Sequence, residues 1–192
     1  FRVLVSYKNL QKLFIKVIAL NDSVENKEEL YYQEKNINLY NIQPIVKSWY
    51  LDLPDNSDYQ NHKTEIIIPA LTVGKYLIMA GTDSSFTYIK NGIAYCKTWV
   101  TNLSFFNRRL NDQSVEILTL HRKSGAILSE VDVEVFYNTY VPDLRKYKYI
   151  KVDSGKTDSD GIFKSDLYKY PYSTYKIVFH KGEDGFESDE NH

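Results

Sequence analysis

The 192 residues carry a formal net charge of −1, with 43% hydrophobic and 26% charged side chains, which leaves room for a packed core and places the chain between one and two ordinary domains. A balance so close to neutral removes the electrostatic ground for binding nucleic acid or an anionic membrane, and no apolar stretch approaches the ~20 residues of a membrane helix. The single cysteine, Cys96, excludes an internal disulfide and a cysteine-based zinc site, while 17 Tyr, nine Phe and two Trp favour strands with one face in water.

Strand patterns dominate from the start. Residues 12–20 are rich in β-branched and aromatic side chains and are stopped by Asn21-Asp22-Ser23. Ser23 can cap a short helical turn over residues 24–30, but the pattern that follows lacks helical periodicity, so residues 23–46 read as a loop with at most one turn of helix. Residues 47–53 alternate, with Trp49, Leu51 and Leu53 on one face, and the turn chemistry of residues 54–58 ends them. Further strands are expected over residues 64–68, closed by Pro69, and over residues 75–80. One long strand is expected over residues 93–106.

The pattern then restarts. Strands are expected at 114–120, at 131–137 with Val131, Val133, Val135 and Tyr137 inward, at 147–152, at 162–164 and at 172–180 with Tyr175, Ile177 and Phe179 on one side. Turns fall at Lys123-Ser124-Gly125 and at residues 157–161. This spacing, with almost no helix, predicts an all-β chain of two consecutive antiparallel β-sandwich domains, over residues 1–106 and 107–192.

No catalytic, cofactor or metal site is expected. His62, His121, His180 and His192 are scattered without metal-ligand spacing, and His62 reads as an exposed loop residue or a hydrogen-bonded turn element. Gly155-Lys156-Thr157 imitates the end of a phosphate loop, but Ile150 stands where its first glycine must be. Asp158, Asp160 and Gly161 open like a calcium loop, yet Lys169 occupies the position of the closing glutamate, so a glycine turn with Asp side chains on local N–H groups is expected. Asp52, Asp55 and Asp58 read as solvated acids rather than a glycosidase pair. Cys96, between Tyr95 and Lys97 in a strand, reads as buried and inert. Tyr31, Tyr32, Tyr147, Tyr149, Tyr168, Tyr170 and Tyr172 fall in polar stretches where a protein- or carbohydrate-binding surface can form.

Specific strings go further. Trp49-x-Leu51-x-Leu53-Pro54, then Asp58-Tyr59-Gln60-x-His62, then Ile68-Pro69-Ala70-Leu71-x-x-Gly74-x-Tyr76-Leu77 resemble the amino-terminal part of bacterial α2-macroglobulin-like proteins of the large kind found in Bacteroidetes. Val100-Thr101-Asn102-Leu103-Ser104 is similar to the strand that leads from one macroglobulin domain of that family to the next. Residues 124–133 and Thr157-Asp158-Ser159-Asp160-Gly161-Ile162-Phe163 resemble a pattern shared by macroglobulin and other extracellular sandwich domains. The resemblance spans residues 10–182. It departs from the family at Cys96, which is followed by Lys97-Thr98-Trp99 and not by the Gly-Glu-Gln of the reactive thioester.

The resemblance implies a non-catalytic structural and interaction module from a protease inhibitor. Its partners would be neighbouring macroglobulin domains of the same chain, with proteases engaged by the full-length protein and nucleic acid absent. The location would be the bacterial periplasm or cell surface, with any targeting segment or lipid anchor upstream of Phe1. A carbohydrate- or cell-surface-binding sandwich is the alternative.

Overall fold

The computed structural model describes residues 1–20, 33–54, 58–88, 92–112, 114–166 and 174–188. The all-β expectation holds: antiparallel sheets make up almost everything described, in two compact units, Phe1–Val100 and Thr101–His192.

The first unit contains β1 (Arg2–Tyr7), β2 (Lys12–Ala19), α1 (Gln33–Asn41), β3 (Ile45–Asp52), β4 (His62–Ile67), β5 (Gly74–Gly81) and β6 (Ile93–Val100). Strands pair in the order β3-β2-β5-β6, and β1 with β4 forms a separate two-stranded ribbon. Alternation along β2 sends Leu13, Ile15 and Val17 towards the ribbon, where they pack with Ile66, Ile68, Tyr76 and Ile78. Each such fully buried aliphatic side chain contributes about 1.5–3 kcal/mol. Ile18, Leu77 and Met79 point the other way, and α1 covers them with Ile37 and Tyr40, joined by Phe86.

Over residues 33–41 a helix stands within the stretch 23–46, where a loop is expected from the sequence. Its buried apolar residues among those described are the i, i+3 pair Ile37 and Tyr40, with Leu39 packed beside them, too short a pattern to announce a period, and the helix is held by the sheet surface it covers. The capping turn expected from Ser23 lies outside the described residues. On the same face Lys16 is 4% exposed, with its ammonium donating to Asn41 Oδ1 and sitting 4.3 Å from the centre of the Phe86 ring. Asn41 Nδ2 in turn donates to the Phe86 carbonyl at 2.8 Å. Helix, sheet and the residues after β5 are thus tied through one buried cation.

The second unit contains β7 (Leu103–Arg109), β8 (Val115–His121), β9 (Asp132–Val141), β10 (Lys146–Lys156), β11 (Ile162–Ser165), β12 (Tyr175–Lys181) and β13 (Asp184–Glu187). They form sheets β11-β8-β7 and β10-β9-β12-β13, a three-plus-four sandwich in which β8 pairs with β11 and β9 with β12 across the sequence between them. Val131, Val133, Val135, Ile117, Ile177 and Phe179 are fully buried between the sheets. Phe179 stacks on Phe186 with ring centres 4.9 Å apart and meets Phe105 at 4.9 Å.

The single strand expected over residues 93–106 is two strands. Asp184 breaks it, accepting from the Thr101 hydroxyl at 2.6 Å and from the Asn102 N–H at 2.8 Å, while Thr101 Oγ1 accepts from Leu103 N–H at 3.0 Å. β7 then pairs along its whole length with β8, so residues 101–106, assigned by sequence to the first domain, fold with the second. The turn at residues 157–161 also has a physical origin. Asp158 Oδ1 accepts the N–H groups of Asp160 at 3.0 Å and Ile162 at 2.9 Å, and Gly161 adopts φ +72° against the Thr119 carbonyl, where a Cβ would lie 3.0 Å from that oxygen. The buried Thr157 hydroxyl donates to the Leu128 carbonyl at 3.0 Å and accepts from Val131 N–H at 3.1 Å.

Candidate functional site

Three connecting segments meet at one end of the first unit and enclose a cleft of about 460 Å³. The ribbon ends there with the pair Tyr7 and His62, whose rings lie 5.6 Å apart. The β1–β2 turn supplies Asn9, the start of β2 supplies Lys12, the segment before β4 supplies Asp58 and Tyr59, and Thr82 follows β5. A hydrogen bond from Leu53 N–H to the Gln11 carbonyl, 2.8 Å, pins the turn to the end of β3.

His62 opens β4 rather than lying in a loop, and it is hydrogen-bonded as expected of a turn element, its Nε2 standing 2.9 Å from Asp58 Oδ1. That oxygen also accepts from Gln60 N–H at 2.9 Å. The backbone bond, with His62 beside it, holds the Asp58 carboxyl below the ordinary range, the opposite of what a general acid needs. Asp52 instead lies 3.6 Å from Lys12 Nζ. Asp55 is outside the described residues. Sequence reading did not single out Tyr7, Asn9 or Lys12, which are distant in the chain from Asp58, Tyr59 and Thr82 and meet them only through the register of the ribbon and the turn beside it.

The remaining candidates disperse. His121 and His180 lie on β8 and β12, in different sheets, and the His121 ring nitrogen is taken by the Ser124 hydroxyl at 2.9 Å. His192 lies outside the described residues. Gly155 and Lys156 are extended strand paired with Val133 and Asp132, so they form no phosphate-cradling nest. Asp158 spends its carboxylate on its own turn, as expected. Cys96 is exposed and not buried as expected: β6 is an edge strand, and its thiol lines an apolar groove with Val3, Val5 and Ile78. Partial burial against that groove still raises the thiol pKa above its ordinary value, which keeps it protonated and weakly nucleophilic. Of the tyrosines, Tyr147 is 69% exposed near the tip of the β9–β10 hairpin and meets Tyr140 edge-on, with ring planes 65° apart, so the two make no flat platform. Lys176 Nζ sits 5.0 Å from the Tyr149 ring centre. Tyr31, Tyr32, Tyr168, Tyr170 and Tyr172 lie outside the described residues.

No family model matches the chain, and no curated protein matches its sequence. Solved structures do. A crystal structure of native α2-macroglobulin from Escherichia coli spanning domains MG0-NIE-MG1 is similar with a TM-score of 0.67 at 12% identity, over 97% of this chain and 57% of that one. A second crystal structure of the same protein, spanning domains NIE-MG1, is similar with a TM-score of 0.63 at 12% identity, over 97% of this chain and 86% of that one. This chain therefore shares its fold with consecutive domains of a bacterial α2-macroglobulin.

Proposed function

We propose that the chain is a non-catalytic frame segment of a bacterial α2-macroglobulin-like protease inhibitor. Phe1–Val100 is the counterpart of the NIE domain and Thr101–His192 of the MG1 domain. One observation carries this reading: the likeness runs over 97% of the chain and over 86% of a structure that contains those two domains in that order. The different build of the two units, one with a helix over its sheet and one a plain three-plus-four sandwich, agrees with two domains of different name. The sequence strings from Trp49 to Leu77 support the same family and its Bacteroidetes kind. In this reading the units hold a distant bait region in place, contact neighbouring macroglobulin domains of their own chain, and work outside the cytoplasm, in the periplasm or on the cell surface.

The test compares the full-length gene product with this chain alone, each mixed with trypsin and assayed on a protein substrate and on a small peptide substrate. The full-length product is expected to protect the large substrate and spare cleavage of the small one, and the chain alone to change neither. Inhibition or hydrolysis by the chain alone, or a full-length product without effect on the large substrate, sinks the reading.

A further inference from the structure

The cleft at the end of the first unit has features that a frame segment does not require. Its volume of about 460 Å³ falls in the range of small-ligand sites. Its walls are connecting segments at one end of a sandwich, where a rigid sheet can hold side chains at fixed spacing for recognition. Two of them carry non-glycine residues in the left-handed region, Asn9 at φ 50° and Tyr59 at φ 56°, and such conformations persist where the surroundings enforce them. Tyr59 is 72% exposed, so burial does not explain its ring.

Polar groups are also available here. Among the described residues, the side chains of Asn9, Tyr59 and Thr82 make no hydrogen bond, and the Asp58 carboxylate, held by Gln60 N–H and His62 through Oδ1, has lone pairs to spare. They offer two amide donors, hydroxyls and a carboxylate oxygen to one volume. Charge narrows the ligand. Lys12, the lysine of the lining, faces Asp52 at 3.6 Å and so is not a lone cation for an anionic ligand, and among the described residues no cluster of three metal-ligating side chains forms around Asp58. An apolar ligand would strand the amide and hydroxyls. A peptide strand would add to the backbone edge of a sheet, whereas Asn9, Asp58, Tyr59 and Thr82 present side chains from connecting segments.

We propose that this cleft binds a neutral saccharide, with the Tyr59 ring stacking on a sugar face and Asn9, Asp58 and Thr82 exchanging hydrogen bonds with its hydroxyls. The site stands on the first unit alone and is independent of the frame reading.

The experiment is a titration of the ¹⁵N-labelled chain with N-acetylchitohexaose, maltohexaose and cellohexaose, read as amide shifts. At least one is expected to give saturable changes confined to residues 9–12, 58–62 and 82. Tyr59→Gly keeps the backbone conformation without strain and removes the ring, so it should weaken binding about tenfold. Tyr59→Phe keeps the ring and should bind like the parent. No saturable change with any of the three, equal affinity in Tyr59→Gly, or shifts at these amides from a charged peptide and from no saccharide would each overturn the proposal.

Discussion

The two units bury polarity in opposite ways. In the second, the described buried polar residues are hydroxyls: Thr101, Ser114, Thr119, Thr157, Ser165 and Ser188. Each closes a connection, as Ser114 does on Asp112 at 2.5 Å, Thr119 on the Leu128 carbonyl at 2.6 Å, and Ser188 in accepting from Ile177 N–H at 2.9 Å. A short hydroxyl reaches backbone without leaving the strand, so this unit fastens its own loops and leaves little over. In the first unit the described buried polar residues are Lys16 and Asn36, and the loops at the ribbon's end keep their amide and hydroxyl groups for solvent. The contrast separates a unit built to hold shape from one with groups to spare.

The largest loss is expected at the aromatic centre of the second unit. Phe179 is fully buried between Phe105 and Phe186, so Phe179→Ala is expected to cost about 3–5 kcal/mol. Denaturant unfolding measures the loss, and hydrogen exchange should show protection falling in β9, β12 and β13. A cost under about 1 kcal/mol would mean the three rings are not the keystone of this core.

The hydroxyl knot is tested by Thr157→Val, which keeps the shape and removes the group between Leu128 O and Val131 N. Leu128 O retains the Thr119 hydroxyl, whereas the Val131 N–H loses its acceptor while buried, so a cost of about 1–3 kcal/mol is expected. The exchange rate of the Val131 amide should rise with it. An unchanged rate would show that the hydroxyl is not what holds that connection.

These two regions also differ in how far the sequence reveals them. In the second unit the inward set Val131, Val133, Val135, Ile177 and Phe179 is a period-two pattern, and the turn at residues 157–161 is written in its Asp and Gly, because both depend on neighbours along the chain. The break at Thr101 and Asn102 was hidden, since the carboxylate that causes it belongs to Asp184, 83 residues away from Thr101. β13, at four residues, offers little pattern of its own, whereas β1 alternates with Val3, Val5 and Tyr7 inward, a legible pattern that sequence reading did not single out. Helix α1 was hidden for a related reason: its two core residues gain their value from a sheet surface supplied by β2 and β5. The cleft was the least legible feature, because Tyr7, Asn9, Asp58 and Thr82 come together only once the ribbon and its flanking segments have folded.

The smallest change is expected at Lys16, the buried cation of the first unit. Burial lowers its pKa below the ordinary 10.5, so the folded unit holds this proton less tightly than the unfolded chain does. Between the folded value and 10.5 the unfolded state binds more protons, and stability therefore rises as pH rises through that window. Below the window the cost of the buried ammonium is constant, offset by the Phe86 ring and the Asn41 oxygen. Lys16→Met fills the same volume without the charge, so at pH 7 it should lie within about 1 kcal/mol of the parent or above it. Urea titrations of both proteins from pH 7 to pH 10.5 check this, because the tyrosines shared by the two cancel in the difference. The parent is expected to gain on Lys16→Met as the solution becomes alkaline. Parallel curves, with the variant the weaker throughout, would mean that the ammonium is favourable where it sits, and that the first unit uses its buried cation as the second uses its hydroxyls.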